Sequence, residues 1–141
     1  RLAPLLASLD EVQRAQVIDS WQTDGSGDEQ HNRQAHTWLL PIPQSLASTV
    51  PMWITGQHQT IAVRVISHPT VRKLCQQLVS EQNPFGLLVS TSCNRSGQTP
   101  ASTFEAAYAY FEEQIGYLQG DTLGYTLPSQ IRDATTGLVI R

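Results

Sequence analysis

Basic side chains are few and scattered: nine Lys and Arg stand against twelve Asp and Glu, the net charge is −3, and no Lys/Arg cluster occurs. Broad binding along a nucleic-acid backbone needs a concentrated positive face. That class is disfavoured, while a local pocket for a small anion is not. No apolar run approaches the roughly 20 residues of a membrane-spanning helix. No basic stretch followed by an apolar core opens the chain, so the cytoplasm is the expected compartment. Only two cysteines are present, Cys75 and Cys93, and they are expected as free thiols rather than a bridge. His31, His36, His58 and His68 lack His-x-x-His spacing and no Cys-x-x-Cys occurs, which argues against a structural zinc. Without a Gly-x-Ser-x-Gly elbow a serine hydrolase fails at the level of sequence.

What remains is 141 residues, 40% hydrophobic and 15% charged, enough for one domain around one core. Leu87-Leu88-Val89 reads as a short strand emptying into Ser90-Thr91-Ser92-Cys93-Asn94-Arg95-Ser96-Gly97. Ser102-Thr103-Phe104-Glu105 reads as a capping box opening a helix of about 103–115, with Phe104, Ala107, Tyr108 and Phe111 inward. Strand, polar loop and helix N-terminus is an arrangement that holds phosphates, because unpaired amides and the helix dipole meet the anion there. A single glycine in the loop excludes a Walker loop or a dinucleotide-binding turn. Hydroxyls and a carboxamide would have to donate instead.

Elsewhere, Ser8-Leu9-Asp10-Glu11 reads as a second capping box, followed by Val12, Ala15, Ile18 and Trp21 as a helical stripe. Residues 22–36 contain no large apolar side chain and are expected as a mobile surface loop. Thr37-Trp38-Leu39-Leu40 reads as a strand stopped by Pro41 and Pro43. Residues 60–66 alternate, with Ile61, Val63 and Val65 on one face and Ala62, Arg64 and Ile66 on the other. His68 suits a cap, Pro69 a first helical residue, and Val71, Leu74, Cys75 and Leu78 a core-facing stripe. Leu138-Val139-Ile140 reads as a last strand. The sum is an α/β domain with a mixed sheet.

Arg64 is the sharpest chemical candidate. An arginine in the middle of an apolar strand needs a partner. Its planar fork suits either bidentate recognition of a carboxylate ligand or a structural pair with Asp133. Arg95 and Arg132 read as solvated.

Four segments occur in order: Thr60-Ile61-Ala62-Val63-Arg64-Val65-Ile66-Ser67-His68-Pro69, then residues 90–101, then Pro128-Ser129-Gln130-Ile131-Arg132-Asp133, then Val139-Ile140-Arg141. Together with Trp53-Ile54-Thr55-Gly56 and Leu74-Cys75, they resemble the YrdC/TsaC family, the threonylcarbamoyl-AMP synthases of tRNA modification. The resemblance implies a YrdC-like single domain, a twisted mixed sheet flanked by helices with an open cleft. It implies synthesis of threonylcarbamoyl-adenylate from L-threonine, bicarbonate and ATP, with Mg²⁺ on the phosphates and pyrophosphate released. Arg64 would bind the threonine carboxylate. Ser92 and Asn94 match the Ser-Ala-Asn motif on the phosphates, with Cys93 replacing alanine, and Ser90, Ser129 and Arg141 would also face the nucleotide. The product would pass to tRNA-modifying partner proteins, with at most weak direct contact to tRNA. Family members begin with a further segment carrying a Lys-x-Arg motif, absent here. The chain is therefore expected to be the C-terminal major part of one such domain, with 22–36 inserted. Two alternatives are a non-catalytic YrdC-like module that binds ATP or RNA, and the carbamoyl-adenylate domain of a hydrogenase-maturation protein.

Overall fold

Trp38 and Leu40 alternate with Thr37 and Leu39 along one short segment, and that alternation becomes the central strand of the sheet. In a computed structural model, which describes residues 1–23, 34–125 and 127–141, β1 (His36–Pro41) pairs antiparallel with β2 (Thr60–Arg64) and parallel with β3 (Gln130–Asp133). The order is β2-β1-β3, a mixed sheet. Trp38 lies opposite Val63 and Leu40 opposite Ile61, so four apolar side chains share one face. All four are buried, with Trp38 1% exposed and Leu40 0%.

That face is covered by Leu5, Leu6 and Leu9 of the N-terminal turn and by Val17 of helix α1 (Glu11–Thr23). A relay of hydrogen bonds fixes the helix on the strand. The Trp38 indole N–H donates to Ser20 Oγ at 2.8 Å, and the Ser20 hydroxyl donates to the Val17 carbonyl at 2.8 Å. The buried indole thus keeps a partner, without which its desolvation would cost on the order of 1–3 kcal/mol. The chain continues through the short helix α2 (Met52–Thr55), α3 (Pro69–Gln77) and α4 (Phe104–Phe111). None of the helices among the described residues is long and apolar enough to cross a membrane.

Several sequence expectations change in detail. The α1 cap is Asp10, not Ser8: the Asp10 N–H donates to Gln13 Oε1 at 3.0 Å and the Gln13 N–H to Asp10 Oδ1 at 2.8 Å. The helix cannot start earlier because Leu9 is held in the preceding turn by its bond to the Leu6 carbonyl and is buried. The buried face of α1 runs through Val17 toward Ile18 and Trp21, while Val12 is 78% exposed. Strict threefold spacing falls behind the 3.6-residue turn by about 60° per step, so four such positions span half the helix and cannot all face inward. For α3 the expected start holds, since His68 Nδ1 accepts the Thr70 N–H at 3.2 Å and Pro69 opens the helix, but the expected stripe does not join the hydrophobic core. Val71, Leu74, Cys75 and Leu78 are all half-buried.

Leu87–Val89 forms no strand. Asn83 supplies what a neighbouring strand would, its carboxamide accepting from the Leu87 N–H and donating to the Leu87 carbonyl, both at 3.0 Å. Leu88 and Val89 are exposed. Just before them, Gly86 takes a φ of +64°, and a Cβ there would collide with the Cys75 carbonyl. Of the 22–36 segment, Gln22 and Thr23 end α1 and 34–36 lead into β1, while 24–33 lie outside the described residues. Leu138–Ile140 forms no extended strand but runs antiparallel beside β3, with a bridge between Arg132 and Val139 and the Asp133 N–H donating to the Leu138 carbonyl at 2.9 Å.

The contacts divide the chain into two compact units, residues 1–87 with 124–141 and residues 88–123. The hydrophobic core belongs wholly to the first. In the second no residue is buried.

Candidate functional site

In the first unit, strand directions bring three candidates to one end of the sheet. Arg64 is the last residue of β2 and lies opposite Thr37, which lies opposite Ile131. Ser129 immediately precedes β3 at that same end. The carbonyl of Ile131 accepts from both Ile140 and Arg141, at 2.8 and 3.4 Å, while the Ile131 N–H donates to the Arg141 carbonyl at 2.7 Å. Two residues thus oppose one, a β-bulge that ends the hairpin beside Ser129. Arg64 and Arg141 are separated by three strand spacings, on the order of 14 Å.

Arg64 is exposed, not buried in mid-strand: β2 is an edge strand and Arg64 its last residue. Among the described residues it makes no hydrogen bond or ion pair. The pairing with Asp133 is not made. Asp133 Oδ1 instead accepts the N–H groups of Thr135 and Thr136, each at 2.8 Å, and shapes the 133–138 turn. Those backbone bonds, led by the one from Thr136, hold its carboxyl below the ordinary aspartate range against a smaller opposing effect of desolvation. Arg132 is not simply solvated either, since its Nε donates to Gln130 Oε1 at 2.6 Å and its guanidinium lies 5.8 Å from the centre of the Trp38 ring.

Ser90, Ser92 and Asn94 lie in the second unit, in a loop with definite internal structure. The Ala101 N–H donates to the Cys93 carbonyl at 2.8 Å, closing the neck, and the Gln98 N–H donates to the Arg95 carbonyl at 3.0 Å. Gly97, at φ +79°, takes the left-handed position in that inner turn. Asn94 braces the turn from within, its Nδ2 donating to the carbonyls of Arg95 and Gln98 at 3.0 and 2.9 Å. Its Oδ1 is buried and has no partner among the described residues. The Ser90 and Ser92 hydroxyls are exposed and make no hydrogen bond among the described residues, so both are free to donate. The backbone amides of Ser96 and Gly97 are also without an internal partner among the described residues, an anion-compatible feature.

The start of α4 is less open than the sequence suggests. The cap is Thr103, one residue later than the capping box, and its Oγ1 accepts the Ala106 N–H at 3.2 Å. Glu105 adds a carboxylate to the first turn. An anion would therefore be met by the loop more than by the helix end. Phe104 and Tyr108 do not face inward, being 56% and 40% exposed. They pack with Tyr117, ring centres 5.1–5.9 Å apart. Desolvation raises the Tyr117 phenol above its ordinary value, with smaller contributions from Cys93, Tyr108 and Glu112. The helix ends at Phe111, because Glu112 adopts a φ of +45°.

Arg95 is the residue that sequence reasoning underrated. Its Nε and Nη2 donate to the Tyr110 carbonyl at 3.1 and 2.7 Å, and its guanidinium lies 5.7 Å from the centre of the Phe111 ring. Spacing gave no signal for it, since the contact spans 15 residues and depends on where α4 ends.

The fold is that of a mixed α/β protein, with Arg64, Ser129 and Arg141 at one end of its sheet and a structured Ser/Asn loop in its second unit. Residues 4–141 match the Sua5/YciO/YrdC family, described as telomere recombination. The chain belongs to that family. It is 55% identical over 148 aligned positions to the threonylcarbamoyl-AMP synthase of Psychrobacter arcticus, covering 100% of this chain and 68% of that protein. The Psychrobacter cryohalolentis protein of that name is 54% identical with the same coverage. That of Acinetobacter baylyi is 50% identical over 137 positions, 97% of this chain and 64% of the relative. The chain thus spans about two thirds of the length of these curated relatives.

Proposed function

We propose that this chain belongs to a threonylcarbamoyl-AMP synthase, which joins L-threonine, bicarbonate and ATP into threonylcarbamoyl-adenylate with release of pyrophosphate and water. The observation that carries the reading is the 55% identity, over all of this chain, to a protein of that name. In this reading the threonine amine adds to the carbon of CO₂ with loss of a proton, or to that of bicarbonate with loss of water. A carbamate oxygen then attacks the α-phosphorus of ATP, and the bond to the β-phosphate oxygen breaks to expel pyrophosphate. Neither step needs an enzyme nucleophile. Both need two anions held in line while charge is stabilised.

The residues available suit that task. Arg64 is an exposed fork without an internal partner among the described residues, suited to the threonine carboxylate. The Ser90 and Ser92 hydroxyls donate to the phosphates. Asn94, whose NH₂ is spent on the loop's own carbonyls, holds the loop in the shape that presents them. Ser129 and Arg141 would also serve the nucleotide. Residues 90–101 contain no carboxylate, which fits a Mg²⁺ carried by the phosphates and water rather than by a protein cage. Mg²⁺ would offset phosphate charge when bound. The product would pass, in the cytoplasm, to tRNA-modifying partner proteins; with a net charge of −3, direct tRNA contact would be weak.

The test is pyrophosphate release from ATP by the complete gene product, with threonine and bicarbonate added separately and together. Release that requires both is expected. ATP binding without release would instead identify a nucleotide-binding module.

A further inference from the structure

We propose that Arg95 and Tyr110 form a clamp that positions the Ser90–Ala101 loop for nucleotide, an inference that rests on the reading of that loop given above. Both ends of the inner turn are tied to one residue. Arg95 donates two hydrogen bonds to the Tyr110 carbonyl at 3.1 and 2.7 Å, and the Tyr110 hydroxyl donates back to the Thr99 carbonyl at 2.9 Å. Between these anchors the turn is closed by Gln98 N–H on the Arg95 carbonyl and braced by Asn94. The Tyr110 carbonyl lies in the last turn of α4, where carbonyls lack helical partners and a cation is favoured. The Phe111 ring beneath the guanidinium adds a face on which it stacks.

A planar fork placing two N–H groups on one carbonyl is specific to arginine; lysine keeps the charge but not the geometry. The clamp therefore makes a different prediction from direct attraction of phosphate by the Arg95 charge. It also separates the two substrates, because Arg64 lies in the other unit.

In the complete gene product, Arg95→Ala and Arg95→Lys should each raise KM for ATP about tenfold, as expected for losing a charge-assisted pair of bonds, while KM for threonine stays within about twofold. Tyr110→Phe, which removes only the hydroxyl bond, should raise KM for ATP about threefold. In all three variants the Gln98 and Ala101 amides should exchange with deuterium faster than in the wild type. Unchanged exchange in Arg95→Ala would overturn the clamp. Faster exchange with unchanged KM for ATP would overturn its role in positioning, and wild-type KM in Arg95→Lys alone would assign Arg95 a simple charge contact. Wild-type protein that releases no pyrophosphate would count against the synthase reading instead. The clamp would then be judged by exchange and by calorimetric ATP affinity, which should still fall in Arg95→Ala.

Discussion

Arg64 carries the most weight of any single side chain. The alternation of residues 60–66 placed it opposite the core-facing Ile61 and Val63, but alternation does not reveal whether a strand is central or at an edge. Ile61 and Val63 of the same strand are buried, while Arg64 lies on the opposite, exposed face at the strand's last position and makes no contact with the core. Arg64→Ala should therefore leave the thermal midpoint nearly unchanged while costing about 2–3 kcal/mol in threonine binding, roughly a hundredfold in KM. A threonine KM equal to the wild type would remove Arg64 from the site. Gly86 is a different case, a position with little structural tolerance. Its φ of +64° and the Cys75 carbonyl beside it mean that Gly86→Ala should destabilise the protein by at least about 1–3 kcal/mol. Chemical denaturation would measure the loss, and an unchanged midpoint would mean that the chain relaxes there without cost.

Among the elements, those with a strong local code were legible and their boundaries were not. Pro69 after His68 opens α3 as read, because proline is preset for a first helical residue and the imidazole reaches the next free amide. The caps of α1 and α4 each fall one or two residues later than read, at Asp10 and Thr103. Ser8 and Ser102 carry the same chemistry, and only the surrounding turn decides which residue the helix uses. The 130–141 hairpin depends on Asp133, whose carboxyl is held below its ordinary range. A lowered folded-state pKa adds stability that is fully present above about pH 4 and is lost as pH falls through the folded value. Asp133→Asn retains the accepting oxygen but not the charge. The wild type should lose thermal stability more steeply than this variant as the pH falls below about 4. Identical acid profiles would show that the charge contributes nothing to the turn.

For the molecule as a whole, burial is uneven. Every core residue lies in the unit built on the three-stranded sheet, and residues 88–123 bury none fully. Local opening free energy follows buried apolar contact. Amides of 88–123 should therefore exchange with deuterium at least about a hundredfold faster than those of Trp38–Leu40. Comparable protection in both would mean that the second unit opens only with the first. With little buried apolar contact around it, the 90–101 loop owes much of its order to its own hydrogen bonds, and if it grips phosphate, bound ATP should protect it further.

The sequence alone determined the mixed α/β class, a strand at Thr37–Leu40, the start of α3 with its cap, and the ordered segments that mark the YrdC family. Each rests on a signal contained within a few consecutive residues: period, proline placement, or a run of small polar side chains. Only the tertiary structure decided that Leu87–Val89 is not a strand, that Arg64 stands at an edge, and that Asp133 is occupied by its own turn. It alone joined Arg95 to Tyr110. Asn83 and Asp133 close local turns that compete with the strand and the ion pair expected there. The sheet order around Arg64 and the Arg95–Tyr110 contact depend instead on which distant segment comes alongside, a property of chain topology that local pattern does not contain.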